Sequence, residues 1–278
     1  MMLPLGLQQE AVQRQYDEVI APHYDLDSKG VLGQSMERAI EQICRCRLSD
    51  NGRPFKVLDL GMGTGKFLEM LQGHQGGLQA FGIDLSARMI DIARGRIPGL
   101  VAAVDDVAHL DAHFGVESFD LICTHFITGF VPMSLLAPTI HRRLTEGGSW
   151  SLVGGTKAGF PTLRKKAGEP PLKWLFGGRP LGVDELVCNP ADREEVVRVL
   201  ESHGFAVREC ETFTPRLAFK NLKEFMDFAY FGGWLTPFVE ALGLHQARAV
   251  TRALLDTFFF PVEDHHCIEI VLAQKKKG

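Results

Sequence analysis

The run Val57-Leu58-Asp59-Leu60-Gly61-Met62-Gly63-Thr64-Gly65-Lys66-Phe67 carries the sharpest chemical signal in the chain. An apolar stretch passes through an acid into three alternate glycines and then a helical pattern. Glycines lack Cβ atoms, so such a turn brings bare peptide N–H groups against a ligand at a helix N-terminus, where those groups have no intrahelical partner. Three nucleotide chemistries use this arrangement, and spacing separates them. A Walker loop needs four residues between its first glycine and a Gly-Lys pair, followed by Ser or Thr; Leu60 holds the first position and Phe67 the last, so the ATPase reading fails twice. A dinucleotide fingerprint needs a third glycine where Lys66 stands, which weakens the nicotinamide reading and leaves it open.

Further groups able to do chemistry follow in order. Asp84 closes the next apolar run, where a carboxylate offers two acceptor oxygens to a pair of ribose hydroxyls. His125 falls after the fourth run, on the edge where ligands bind in such sheets, and is the candidate to contact or deprotonate an acceptor. Structural alternatives stand beside each: Asp59 as a surface cap, Asp84 as a helix N-cap, His125 packed between Thr124 and Phe126. Asp264, His265 and His266 form a polar cluster, yet adjacent histidines on a strand point to opposite faces, so no metal site is expected.

These residues need a scaffold, and the pattern supplies one. Short β-branched and aliphatic runs alternate with helical ones, which predicts a doubly wound, Rossmann-like α/β fold: a mostly parallel seven-stranded sheet with an antiparallel last strand and helical cap insertions. Strands are expected at residues 55–60, 79–84, 100–104, 119–123 and 148–153, with helices at 66–72, 87–96 and 135–144. Asn189 or Asp192 should open a helix through Ser202, before a strand at 205–210 and a last one at 266–273. The expected organisation is an N-terminal helical segment over 1–54, a core of 55–154, 189–211 and 265–274, and cap insertions at 155–188 and 212–264. The first insertion is rich in glycine and proline and the second in aromatic residues, which suggests an apolar or aromatic acceptor.

The totals narrow the partners. The chain has 278 residues, 45% hydrophobic and 23% charged, with a formal net charge of -4, which argues against a nucleic-acid or anionic-membrane surface. Two basic runs, Arg164 to Lys166 and Lys275 to Lys277, are assigned no ligand. The six cysteines are few and lack metal-knuckle spacing, which suits a reducing compartment. With no stretch of transmembrane length and no signal-like N-terminus, the expectation is a cytoplasmic protein, monomer or homodimer.

With the Walker loop excluded, Asp-x-Gly-x-Gly-x-Gly remains. It resembles the class I S-adenosylmethionine-dependent methyltransferases, and so do Phe81-Gly82-Ile83-Asp84-Leu85-Ser86, Asp106-Val107-Ala108-His109-Leu110, Phe119-Asp120-Leu121-Ile122 and Leu144-Thr145-Glu146-Gly147-Gly148, the last with Glu146 where proline is usual. Tyr16-Asp17 and Tyr24-Asp25 resemble the segment preceding this core in quinone C-methyltransferase-like enzymes. The resemblance implies S-adenosyl-L-methionine as cofactor. Gly61, Gly63 and Gly65 would admit its methionine part and Asp59 would hold its amino group. Asp84 would take the ribose; Asp106 and Val107 the adenine; Leu85 and Met89 would pack the base, although Met89 reads equally as core. Thr124 would stand beside the site, and Tyr16 and Tyr24, with His23, would close over it. Thr124-His125-Phe126-Ile127 stands where base and amide methyltransferases resemble Asn-Pro-Pro-Tyr, so a small-molecule acceptor is preferred to protein or RNA. A nicotinamide-dependent oxidoreductase and a non-catalytic cofactor-binding module remain as alternatives.

Overall fold

The structure, a computed structural model, describes residues 9–46, 54–115, 118–170 and 187–277. Nine strands occur among them: β1 (Phe55–Leu60), β2 (Leu78–Asp84), β3 (Val101–Val104), β4 (Phe119–His125), β5 (Leu144–Gly155), β6 (Phe205–Phe213), β7 (Arg216–Phe219), β8 (Val262–His265) and β9 (Ile268–Lys275). The principal helices are α1 (Gln9–Arg14), α2 (Val31–Arg45), α3 (Lys66–His74), α4 (Ala87–Arg96), α5 (Leu110–Phe114), α6 (Met133–Arg143), α7 (Pro161–Ala167), α8 (Arg193–Ser202), α9 (Leu222–Ala229), α10 (Thr236–Ala241) and α11 (Ala249–Phe258). A π-helical turn over Gln15–Ile20 continues α1.

Seven strands form one sheet in the order β3-β2-β1-β4-β5-β9-β6. The pairs among β1 to β5 are parallel, and β9 runs antiparallel between β5 and β6, as expected. The central strands are apolar on both faces because each face is covered. Val57, Leu121, Cys123 and Ile270 face one core with α2 and α3, while Leu58, Ile122, Leu152 and Val271 face a second core with α6 and α8. The chain leaves β1 toward β2 on one side and later returns through β4 on the other. The resulting switch point at the strands' C-terminal ends is where such sheets bind ligands.

Several expectations needed adjustment. Strands β4 and β5 run longer than read, because their ends stay buried and paired through His125↔Val153. Helix α8 opens at Asp192, whose side chain accepts from Glu195 N at 2.9 Å, rather than at Asn189. The region read as an aromatic helical insertion holds a small second sheet of β7 and β8. His265 ends β8, and His266 lies in the turn before β9, its N–H donating to Pro215 O; the two histidines do not share a strand. Asp264 is accounted for by α7, since its carboxylate accepts from Thr162 N and Leu163 N at 3.2 and 2.7 Å. The second half of the first proposed insertion, 171–186, lies outside the described residues.

Candidate functional site

Where β1 ends, the turn doubles back under the end of β2. Gly61 N and Met62 N both donate to Ile83 O, and Gly63 N donates to Asp84 Oδ2 at 2.8 Å. Gly61, Gly63 and Gly65 all take left-handed φ, at 72°, 54° and 75°. A Cβ on Gly63 would sit 3.4 Å from the Tyr24 ring. Gly61 and Gly63 line the resulting crevice. Gly65 does other work: it begins α3, and a Cβ there would lie 2.9 Å from Ile97 Cδ1 and 3.1 Å from Ala93 Cβ, so it permits α3 to pack against α4.

Two buried acids flank the turn. Asp84 accepts from Ser86 N at 2.9 Å as well as from Gly63 N; burial raises it to about 6 against the lowering effect of those N–H groups. The cap of α4 is Ser86, whose Oγ accepts from Met89 N at 3.1 Å, so Asp84 is not spent as a cap. Asp59 is 2% exposed, and its Oδ1 has no hydrogen-bond partner among the described residues. Burial, and then the neighbouring Asp84 carboxylate, push Asp59 up to about 8. A buried acid with an orphaned oxygen is costly, and Asp59 lies behind the turn rather than among the residues that line the crevice.

The N-terminal segment roofs the crevice, and each half of its Tyr-Asp pairs has a separate task. Tyr16 and Tyr24 line the crevice; burial raises both hydroxyl pKa values, with nearby Asp84 adding to the effect. Asp17 accepts from Ser86 Oγ at 2.5 Å and from Arg88 N at 3.1 Å. Asp25 accepts from Thr64 Oγ1 at 2.7 Å and pairs with Arg96 at 2.6 Å. The tyrosines cover the site while the aspartates latch the cover to α4 and the glycine turn.

At the other end, Leu85, Asp106 and Val107 line the crevice. Asp106 is 4% exposed and caps the short turn after β3 by accepting from Ala108 N at 2.8 Å. Val12, Gln13 and Phe130 also line it, which the sequence did not signal because no spacing ties α1 to the sheet edge. Two expected contacts move elsewhere. Met89 is fully buried against Ile20 and Ala21, the core alternative foreseen for it. Thr124 is turned to the opposite face of the sheet, where its Oγ1 accepts from Trp150 Nε1 at 2.8 Å.

His125 ends β4 and does line the crevice, but its surroundings are unsuited to a base. The ring packs edge-on against Phe67 with centroids 4.1 Å apart, Nε2 contacts Ser151 Oγ at 3.1 Å, and Nδ1 is buried without a partner among the described residues. Burial lowers its pKa to about 3, so the ring is neutral near pH 7 and holds an added proton poorly. Of the two readings of His125, the packing favours the neutral, buried ring over a base, while its place on the crevice wall leaves it in reach of a ligand.

A second, larger cavity of ≈ 400 Å³ adjoins the first, which is ≈ 100 Å³. Tyr16, Tyr24, Phe126 and Phe130 line both, forming a common aromatic wall. Phe126 takes a left-handed φ of 60°, which turns the chain out of β4 between the two spaces, and its ring meets Trp234 edge-on at 4.8 Å. Phe160 on the first insertion and Trp234 and Phe231 on the second add to its aromatic lining. His23, expected over the cofactor, lines this larger cavity instead.

A glycine turn at the switch point of such a sheet is the Rossmann-like arrangement, and known proteins share the domain and the fold. Residues 57–148 match the family model described as a methyltransferase domain. The chain is 31% identical over 122 residues to trans-aconitate 2-methyltransferase of Methylobacterium nodulans, covering 42% of this chain and 46% of that one, so the match spans under half of the relative. It is 25% identical over 225 residues to malonyl-[acyl-carrier protein] O-methyltransferase of a Paenibacillus species, with 78% of each covered. Among solved structures, YcgJ of Bacillus subtilis aligns with a TM-score of 0.56 at 16% identity, covering 87% of this chain and all of that one. A protein described in the conversion of a disulfide bond into a thioacetal group during echinomycin biosynthesis aligns at 0.52 and 15% identity over 97% of this chain and 93% of its own. Residues 57–148 thus match a methyltransferase domain, and the solved structures share its Rossmann-like fold. No helix among the described residues is long and apolar enough to cross a membrane.

Proposed function

We propose that this protein transfers a methyl group from S-adenosylmethionine to a small, apolar or aromatic acceptor held in the larger cavity. One observation carries the reading: the glycine crevice and the aromatic cavity share the wall of Tyr16, Tyr24, Phe126 and Phe130, so two ligands can meet there out of bulk water. When bound, the cofactor supplies an electrophilic methyl on a sulfonium. The residues present fit it. Gly61 and Gly63 leave room for its methionine part, and the orphaned carboxyl oxygen of Asp59, behind the turn, attracts its ammonium group. Asp84 takes ribose hydroxyls, Asp106 and Val107 hold the adenine, and Leu85 packs the base.

The protein's part in the chemistry is alignment and exclusion of water. Holding two reactants in line removes most of the entropic cost of their encounter. With His125 neutral and poor at accepting a proton, the arrangement favours acceptors that arrive ionised or carry a free lone pair. The relative named for transfer to trans-aconitate supports an acceptor below the size of a folded macromolecule, and the one named for malonyl-[acyl-carrier protein] acts on a small acyl group that a protein carries. The contribution of residues from both insertions to the cavity lining supports the same reading over protein or RNA. Calorimetry with S-adenosylmethionine, S-adenosylhomocysteine, NAD and ATP tests the cofactor: saturable binding of the first two alone is expected, and binding of NAD or ATP instead would sink the proposal. A metabolite screen read by mass for a product heavier by one methylene then tests the acceptor.

A further inference from the structure

The larger cavity is not uniformly apolar. Thr128 and Thr156 line it at 1% and 2% exposure, and the Oγ1 of each is buried without a hydrogen-bond partner among the described residues. His266 and Asn189 line the same wall. The four are brought together by the end of β5, where Gly154 and Gly155 supply the space. A Cβ on Gly154 would lie 2.4 Å from Thr128 Oγ1, and one on Gly155 would lie 2.9 Å from His266 Nε2 and 3.6 Å from Asn189 Nδ2. A side chain at either glycine would displace Thr128 or His266.

The tautomer of His266 follows from its neighbours. Its Nδ1 accepts from Cys267 N at 3.0 Å, and a backbone N–H can only donate. Burial, reinforced by the Arg164 guanidinium, keeps the ring neutral by lowering its pKa to about 3. The single ring proton therefore sits on Nε2. The ring is fixed in place by stacking on Phe160 at 4.4 Å and by the edge of Trp234 at 5.5 Å. Arg164 lines the cavity too, with its Nε donating to Gly159 O. Among the described residues, the two carboxylates that line the cavity are engaged elsewhere: Asp27 accepts from Leu32 N and Gly33 N, and Asp227 pairs with Lys223.

Donors thus predominate on one buried wall of an otherwise aromatic space. We infer that this wall recognises a carbonyl or carboxylate oxygen on the acceptor, with His266 Nε2–H and the Thr128 and Thr156 hydroxyls as donors and the Asn189 amide beside them. The inference deepens the methyl-transfer reading by naming the acceptor's chemical class: a flat apolar body bearing an oxo or carboxyl group. An acceptor lacking that oxygen would bury the hydroxyls and the imidazole N–H unsatisfied, and sites built to hydrogen-bond a group reject analogues without it. His266 and the two threonines are specificity-determining residues here, separate from the crevice that takes the cofactor.

The test uses three probes of one shape: 2-naphthoate, 2-acetylnaphthalene and 2-ethylnaphthalene, titrated by ligand-observed saturation-transfer NMR with and without S-adenosylhomocysteine. The two oxygenated probes, or naphthoate alone if Arg164 dominates, are expected to bind about tenfold or more tightly than the ethyl compound. Thr156→Val and His266→Phe, which approximate the original shape, should each erase most of that preference, by weakening the oxygenated probes and leaving ethylnaphthalene bound as well or better. If His266→Phe fails to fold, Thr156→Val decides. Equal binding of ethylnaphthalene, retention of the preference in the variants, or no naphthyl binding at all would overturn the inference. Calorimetry with S-adenosylhomocysteine on the same samples scores the cofactor reading separately, so either can fail alone.

Discussion

Replacing Asp59 with asparagine separates the cost of the buried acid from its use. The carboxyl is displaced from its ordinary 3.8 to about 8 by burial and by Asp84. A carboxyl whose folded-state value lies above its unfolded one binds its proton more tightly when folded. The stabilisation it contributes is complete below 3.8 and is lost as pH rises toward about 8. Between pH 5 and pH 8 that loss amounts to at most ~4 kcal/mol, or roughly 8 °C in Tm for a chain of this size. An asparagine amide carries no such dependence. The ligand-free variant should therefore gain on the wild type as pH rises, by up to about 8 °C over that interval. The subtraction matters because His125 and His266, lowered to about 3, act in the opposite sense: their contribution is present above the unfolded histidine value of 6.5 and lost as pH falls toward 3. Thermal melts of both proteins in matched buffers cancel that contribution. The same substitution should weaken S-adenosylhomocysteine by about tenfold to a hundredfold, as expected for loss of the attraction between its carboxylate and the ammonium group. A Tm difference that stays flat or shrinks from pH 5 to pH 8 would refute the placement of this acid as a buried, unpaired group.

Two further outcomes are expected. Gly65→Ala combines a left-handed φ of 75° with a Cβ 2.9 Å from Ile97 Cδ1, and should cost about 2–4 kcal/mol in urea unfolding. For His125, the pH dependence of methyl transfer between pH 5 and pH 8 should have the same apparent pKa values in the wild type and in His125→Asn; a limb near 6.5 that vanishes in the variant would restore it as a base.

The core was legible because its strands are buried on both faces. Phe55–Leu60 and Ala87–Arg96 fall where the pattern placed them, since continuous apolar runs and a glycine turn admit few alternatives. The β7 and β8 pair was not legible: four residues such as Val262–His265 carry too little alternation to stand out from an aromatic helical background. The crevice acids were visible as a series. Which way Thr124 and His125 point was also implicit, because Cys123 and Ile122 already divide the faces of β4, but motif position outweighed pleat parity in the reading. The donor wall was invisible for a different reason. Thr128, Thr156, Asn189 and His266 come from separate segments, and only the missing side chains of Gly154 and Gly155 let them converge.

The latching of Asp17 to Ser86 and of Asp25 to Arg96 spans 69 and 71 positions of chain. The cover thus leaves the ribosome before β2 and α4 and can close only once they exist to receive it. Until then its two tyrosines have no crevice to cover, so closing this side of the ligand-binding space carries the loop-closure cost of those long spans.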